Sequence, residues 1–352
     1  MRRSTSSSLT AMPCTTSRGS AHPVRTGDST MESYPLTCAG AAPRLKHLRD
    51  RPRRGEQVPT IQGSQASIHY EQVGDGPDVV WVSGAGGTAH SWDAYQLPYF
   101  KDGFRNTTSD CRGVGSTVCD APQPWPIEGF AQDIADLIEA VCEPPVALVG
   151  LSFGAGIVQQ VAIDHPDLVR VAIPMGTGAR SVGWTWDYQM AEIEWRRAGH
   201  GFAGDRSSAV MAAMHYAAMY YPAKVLGDRE LWPKLRDDLI AFYEGGGEED
   251  SLIAQWLPCV TFDQTETLPG CMVPMHVVAF EQDVQAVPQD NVEVAELAGD
   301  GHYHEFAGMG HCSIYGHTHD VLNPFIRAIV ERYFQGGRTG RAAHVARDED
   351  AA

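Results

Sequence analysis

The sequence predicts an α/β chain: a mostly parallel central sheet with helices on both faces and a helical insertion between two of the strands. Three observations lead there. From about residue 65, short β-branched or aromatic runs alternate with amphipathic segments, the order that lays helices across a parallel sheet. Strand candidates in the middle of the chain are continuously apolar, as expected where both faces of a sheet are covered. Between about Met175 and Met275 the alternation stops, and a stretch rich in aromatics and methionines takes its place. That stretch is too long for a structureless loop in a compact domain, so it reads as helical.

Taken in order, Ser67–Gln72 and Asp78–Val82 read as strands joined by the turn Gly74-Asp75-Gly76-Pro77, and Asn106–Asp110 as a weaker strand. Ile127–Val141 places Phe130, Ile134, Leu137, Ile138 and Val141 on one face at the helical period. Val146–Gly150 is a buried strand, Phe153–Asp164 a helix stopped before Pro166, and Val169–Pro174 the next buried strand. After the insertion come the strand Met275–Phe280, the helix Pro288–Leu297, the strand His302–Phe306 and the closing helix Val321–Phe334. The expected organisation is a core at 58–180 and 269–335, with a helical lid at 181–268.

Composition narrows the function. The chain is 43% hydrophobic and 20% charged over 352 residues, which is enough to build a large core and excludes disorder of the whole. Residues 1–57 carry ten Arg/Lys against four Asp/Glu, in a Ser/Thr/Pro-rich context without periodicity. They are expected to be a disordered basic extension or an over-extended reading frame, with an Arg-rich transit peptide or nucleic-acid arm as the alternatives. Residues 336–352 are expected to be a disordered tail. The remaining body, 58–352, has 17 Arg/Lys against 40 Asp/Glu, so nucleic acid and anionic membrane are poor partners and a small molecule is the expected one. No stretch has the roughly 18 apolar residues of a membrane span, and the N-terminus lacks the apolar middle of a signal peptide. A cytoplasmic protein is expected, monomer or homo-oligomer. The eight cysteines form no C-x-x-C pair and read as reduced thiols, with a Cys111–Cys119 bridge as the alternative in an oxidising compartment.

Gly150-Leu151-Ser152-Phe153-Gly154 decides the chemistry. A G-x-S-x-G pattern gains meaning where an apolar strand turns directly into a helix, and both flanks are present here. Glycines two before and two after Ser152 leave room for a strained turn that lifts the serine oxygen above the sheet edge. The backbone N–H of Phe153, at the helix start, then faces developing oxyanion charge. A serine hydroxyl needs a base and the base an orienting acid. His311, in Gly308-Met309-Gly310-His311 after the last strand, is the expected base. Asp283, just after Met275–Phe280, is the expected acid, with Glu281 two residues away as its rival. Histidines 302, 304, 317 and 319 read as solvated loop residues and not as metal ligands, since no carboxylate or cysteine pattern completes a site. Neither a cofactor nor a metal is expected.

On these residues the sequence resembles the α/β-hydrolase superfamily over about residues 60–335. The likeness is carried by Val79–Gly87 as the loop after its strand, by the D-x-R-G-x-G turn Asp110-Cys111-Arg112-Gly113-Val114-Gly115, by the Ser152 elbow and by the acid and base positions. The resemblance implies an α/β-hydrolase fold and a second oxyanion N–H from the first of these loops, which maps to Ala85, with Gly86 next. The loop departs from the family in having Ser83-Gly84 where many relatives carry His-Gly. Because the donors are backbone groups, this puts the seating of the loop in question more than the reaction. The expected activity is cleavage of a carboxylic ester, lactone or thioester through an acyl-enzyme on Ser152. A C–C bond hydrolase, an aminopeptidase-like amidase or an acyltransferase or cyclase would use the same triad, and a non-catalytic ligand receptor is the alternative from another class.

Overall fold

The computed structural model describes residues 58–198, 205–244 and 253–335. The extensions expected to be disordered, 1–57 and 336–352, lie outside the described residues. The chain runs through β1 (Thr60–Gln62), β2 (Ala66–Val73), β3 (Asp78–Val82), α1 (Gln96–Phe100), β4 (Arg105–Ser109), β5 (Val118–Cys119), α2 (Ile127–Val141), β6 (Val146–Leu151), α3 (Phe153–Asp164) and β7 (Val169–Met175). The insertion contributes α4 (Gly183–Arg197), α5 (Arg206–Tyr220), α6 (Ala223–Leu226), α7 (Leu231–Glu244) and α8 (Ile253–Thr261). The chain then returns to the sheet as β8 (Met275–Phe280), α9 (Pro288–Leu297), β9 (Gly301–Phe306) and α10 (His319–Gln335).

The strands lie in the order β1-β2-β4-β3-β6-β7-β8-β9, with β5 also on β2. From β4 to β9 every pairing is parallel; β2 is antiparallel to β4, β1 and β5. The expected mostly parallel sheet is therefore present. β2 and β3 follow one another in sequence but are not neighbours, because β4 lies between them. Gly74 and Gly76, at φ 88° and 122°, carry the chain past that strand. A Cβ on Gly74 would lie 2.3 Å from the Phe104 carbonyl oxygen, so this turn makes a close crossing and not a hairpin.

Strand alternation divides the core in two. Val80 and Val82 of β3, with Val146 and Leu148 of β6, face α2, α3 and α9. Val79 and Trp81, with Ala147 and Val149, face α1 and α10, where Trp92, Phe100 and Ile326 complete the layer. Each fully buried aliphatic or aromatic side chain here contributes about 1.5–3 kcal/mol. Within the insertion, the alanine face of α5 (Ala209, Ala213, Ala217) packs on Leu235 and Leu239 of α7, and Cys312 from the segment after β9 joins the same cluster. A separate pair, α4 and α8, packs together, with α8 resting on α3. Among the described residues no helix is long and apolar enough to cross a membrane.

Candidate active site

The parallel strands end on one edge of the sheet, and that edge gathers the candidate residues. β6 runs fully buried into Ser152, which adopts φ 57°, ψ −126° as the residue before α3. It is the one non-glycine residue at positive φ among the described residues. Sterics explain the glycines around it. A Cβ on Gly150 would stand 2.5 Å from the Gly154 carbonyl oxygen, and one on Gly154 would stand 2.3 Å from that of Val82. Both contacts are impossible, so only glycine lets α3 leave the strand this tightly. Phe153 is the first residue of α3, its ring packed edge-on against Phe130.

Asp283 follows β8 and His311 follows β9, so both reach the same edge. His311 Nδ1 lies 2.7 Å from Asp283 Oδ2. The other carboxylate oxygen of Asp283 accepts from the backbone N–H of Gln285 (2.7 Å) and Ala286 (3.0 Å). The Asp283 side chain is fully buried and that of His311 nearly so. Gly176, at φ 59° after β7, backs the pair: a Cβ there would come within 3.2 Å of Asp283 Oδ2 and 3.4 Å of His311 Nδ1. Glu281, the rival acid, instead accepts from the Gly308 N–H at 2.6 Å and so fastens the turn that leads to His311.

Ser152 and His311 line one cavity of about 220 Å³, together with Gly84 and Ala85 from the loop after β3. That loop approaches the nucleophile closely, since a Cβ on Gly84 would sit 3.2 Å from Ser152 Cβ. Without the family's histidine it is held by other means. Gly87 N–H closes a turn on the Gly84 carbonyl, with Gly86 at φ 76°. Gly86 N–H donates to Gln255 Oε1 at 2.7 Å, and Ala89 N–H to Asp110 Oδ1 at 2.8 Å. Asp110 thus ties its own turn to this loop, while Arg112 makes a buried bidentate pair with Asp133 at 2.6 and 2.7 Å. Gln255 and Gly176 carried no signal in the sequence, because their roles rest on what lies opposite them in space.

The far wall of the cavity comes from the insertion and is dominated by tyrosine: Tyr188, Tyr216, Tyr220 and Tyr243, with Phe242 and Trp256. The Tyr220 ring meets His311 edge-on at 5.4 Å and stacks on Tyr216 at 4.1 Å. Among the described residues no methionine lines it; Met211 lies exposed. Burial pushes the Tyr216 and Tyr221 hydroxyls well above the ordinary tyrosine value. It likewise pushes the thiols of Cys259 and Cys312, both on the cavity wall, up to about 12, so these cysteines are protonated and do not compete as nucleophiles. Cys111 and Cys119, the alternative bridge, are both free.

The histidines expected to be solvated are not all so. His302 and His304 stack on the buried His276 of β8, His304 Nε2 lying 2.9 Å from His276 Nδ1. Burial, then the neighbouring histidines, hold His276 down at about 3; burial and His302 hold His304 at about 4. His317 meets the Ser313 hydroxyl at 3.0 Å, and its value falls to about 4, chiefly by burial. Strand pairing, which stacks His276 of β8 on His302 and His304 of β9, leaves no sign in the local sequence. On the rim of the cavity His90 bonds Asp93 at 3.0 Å and approaches Glu71 at 3.7 Å, and the Asp93 hydrogen bond raises it to about 9. Among the described residues, this is the trio of metal-ligand type whose donor atoms fall within 4.8 Å of one another.

Residues 79–323 match the sequence model of the alpha/beta hydrolase family. The chain is 28% identical over 264 residues to a Mycobacterium tuberculosis protein named as a non-heme bromoperoxidase, BpoC, spanning 71% of this chain and 92% of that one. The crystal structure of BpoC superposes with a TM-score of 0.66 at 24% identity, covering 81% of this chain and all of its own. An enol-lactonase from Burkholderia xenovorans LB400 superposes with a TM-score of 0.61 at 20% identity, over 79% of this chain and all of that one. At these identities the superpositions establish a shared fold.

Proposed function

This chain belongs to the alpha/beta hydrolase family and to the hydrolase class of enzymes, and from that premise we propose that it is a serine hydrolase cleaving a carboxylic ester, lactone or thioester of a small molecule with an apolar part. One observation carries the reading: a strained serine and a buried histidine line the same cavity, and the histidine's Nδ1 is already committed to a buried carboxylate. With Nδ1–H donating to Asp283, Nε2 is the basic nitrogen of His311.

In the proposed cycle Ser152 Oγ attacks the substrate carbonyl carbon as its proton passes to His311 Nε2. The imidazolium so formed is stabilised by Asp283, whose second oxygen is saturated by two backbone N–H groups and stays in place. The carbonyl oxygen becomes an oxyanion received by the N–H groups of Phe153 and Ala85. The bond to the leaving group then breaks and His311 returns the proton to it, leaving an acyl-enzyme. Water attacks this with His311 again as base, releasing the acid and restoring the serine. No step needs a cofactor.

The insertion acts as a lid in this reading, its tyrosine wall presenting ring faces to apolar substrate and hydroxyls to polar substituents. The lactonase named among the neighbours supports a lactone or ester carbonyl in this frame. The test is turnover of p-nitrophenyl esters together with covalent labelling by a fluorophosphonate, mapped by mass spectrometry. Label on Ser152 and ester turnover, both abolished in Ser152→Ala, are expected; a protein that binds ligand yet shows neither is a receptor, and the proposal fails.

A further inference from the structure

Gln255 stands at a junction that the catalytic reading does not use. It lies on α8, is wholly inaccessible to solvent, and its amide bridges two loops from the other end of the chain. Its Oε1 accepts the Gly86 N–H at 2.7 Å, and its Nε2 donates to the Arg112 carbonyl at 2.8 Å. One loop is firm. Arg112 is anchored by its bidentate pair with Asp133 and by donation to the Gly129 carbonyl at 2.7 Å. The other loop carries Ala85, one residue before Gly86, against Ser152.

We propose that Gln255 is a positioning residue that couples the seating of the lid to the assembly of the oxyanion hole. This rests on the assignment of Ala85 as an oxyanion donor. Fixing the Gly86 N–H fixes the plane of the Ala85–Gly86 peptide and so limits the rotation open to Ala85. The anchor is borne by α8, which also places Trp256 and Cys259 on the cavity wall. A substrate that packs against α8 therefore presses on the element that holds the loop, and displacement of α8 would break both hydrogen bonds of the Gln255 amide together. The residue type fits the task. A buried position facing an N–H on one side and a carbonyl on the other needs a group that accepts and donates at once, which an amide does and neither a carboxylate nor a thioether can. It also adds a restraint from the insertion to those that the Gly84–Gly87 turn and Asp110 place on a loop with Ser83 where many relatives carry histidine.

Two variants and two readouts test this. Gln255→Met keeps the volume and removes both bonds, whereas Gln255→Glu keeps the acceptor for Gly86. In Gln255→Met, kcat for a p-nitrophenyl ester is expected to fall about 100-fold, as for a displaced oxyanion donor, with KM changing less than about threefold. Gln255→Glu should recover about tenfold of that loss. Amide hydrogen exchange across residues 84–87 should accelerate in Gln255→Met and less in Gln255→Glu, a readout independent of any substrate. Unchanged exchange at 84–87 in folded Gln255→Met, or equal loss of kcat in the two, overturns the proposal. Accelerated exchange in a protein that hydrolyses no ester upholds the restraint while refuting the ester-cleaving reading, so the two failures are distinguishable. If Gln255→Met does not fold, the unaltered chain decides: a Gly86 amide that exchanges as fast as a free backbone amide overturns the coupling.

Discussion

Ser152 shows how a single residue can be held against its own preference. A non-glycine residue in this region costs about 1–3 kcal/mol and persists only where its surroundings fix it. Here a buried strand delivers it, a helix takes it away, and Gly150 and Gly154 permit the turn. Alanine would occupy the same backbone at similar cost. Ser152→Ala is therefore expected to keep its melting temperature while turnover falls roughly 1,000-fold or more, measured as kcat on an activated ester. At Asp283, substitution by asparagine should leave substrate binding near normal and lower kcat by about 10,000-fold, since the amide selects the wrong imidazole tautomer. Glu281→Gln should stay within severalfold of the unaltered enzyme, because that carboxylate holds Gly308 and not His311. If Glu281→Gln proves the crippling change, the acid has been misassigned. Of the proposed site, Ser152, Asp283 and His311 were readable in advance because each sits where a predicted strand ends. Gly176 and Gln255 were not, since what they touch is more than 80 residues away in sequence.

At the scale of elements, the helices and strands with strong periodicity were legible. Ile127–Val141, Phe153–Asp164, Met275–Phe280 and Pro288–Leu297 have the bounds the sequence suggested. The short pieces were not: β1, β5 and α1 span three, two and five residues, too few for any period to show, and their stability comes from pairing or packing. The insertion was rightly expected to be helical, but its aromatics divide in a way composition cannot reveal. Trp184, Trp186 and Trp195 lie partly exposed, while the tyrosines of α5 and Trp256 of α8 turn to the cavity. A wall of this kind favours substrates with a medium or aromatic acyl part over acetate, each buried methylene contributing about 0.8 kcal/mol. Along a series of p-nitrophenyl esters kcat/KM should therefore rise from acetyl to hexanoyl or benzoyl. Trp256→Ala should flatten that rise while leaving the acetyl ester within severalfold. A strict preference for acetyl would mean that the aromatics close the pocket instead of lining it.

For the whole molecule, stability should depend on pH through its buried and half-buried histidines. His276, His304 and His317 have folded values of about 3, 4 and 4, below the ordinary 6.5, so the unfolded chain binds protons that the folded chain refuses. Their contribution is fully present above pH 6.5 and is lost as pH falls to about 4 for His304 and His317 and to about 3 for His276. His90 works in the opposite sense: raised to about 9, it stabilises fully below pH 6.5, and that contribution is lost as pH rises through 9. Asp290, pushed up to about 6 first by burial and then by Glu293 and Asp283, partly offsets the acid limb between about pH 4 and 6. The melting temperature should peak near pH 6.5. His276→Gln should flatten the acid side and His90→Gln the alkaline side, both measured by thermal unfolding across pH 4–10. A melting temperature constant across that range would show these histidines to be far less perturbed.

The sequence by itself determined the fold class, the strand-to-helix elbow at Ser152 and the order in which Ser152, Asp283 and His311 follow their strands, because these depend on local periodicity and on residues placed at element ends. It also determined that the body is acidic, with 17 Arg/Lys against 40 Asp/Glu over 58–352. Only the tertiary structure decided that β4 separates β2 from β3, that three histidines stack across β8 and β9, and that a glutamine from the insertion seats the loop beside Ser152. The physical reason is the same in each case. Strand order, ring stacking and a bridging amide are relations between segments far apart in the chain, fixed by which surfaces exclude water together, and no single stretch of sequence encodes its distant partner.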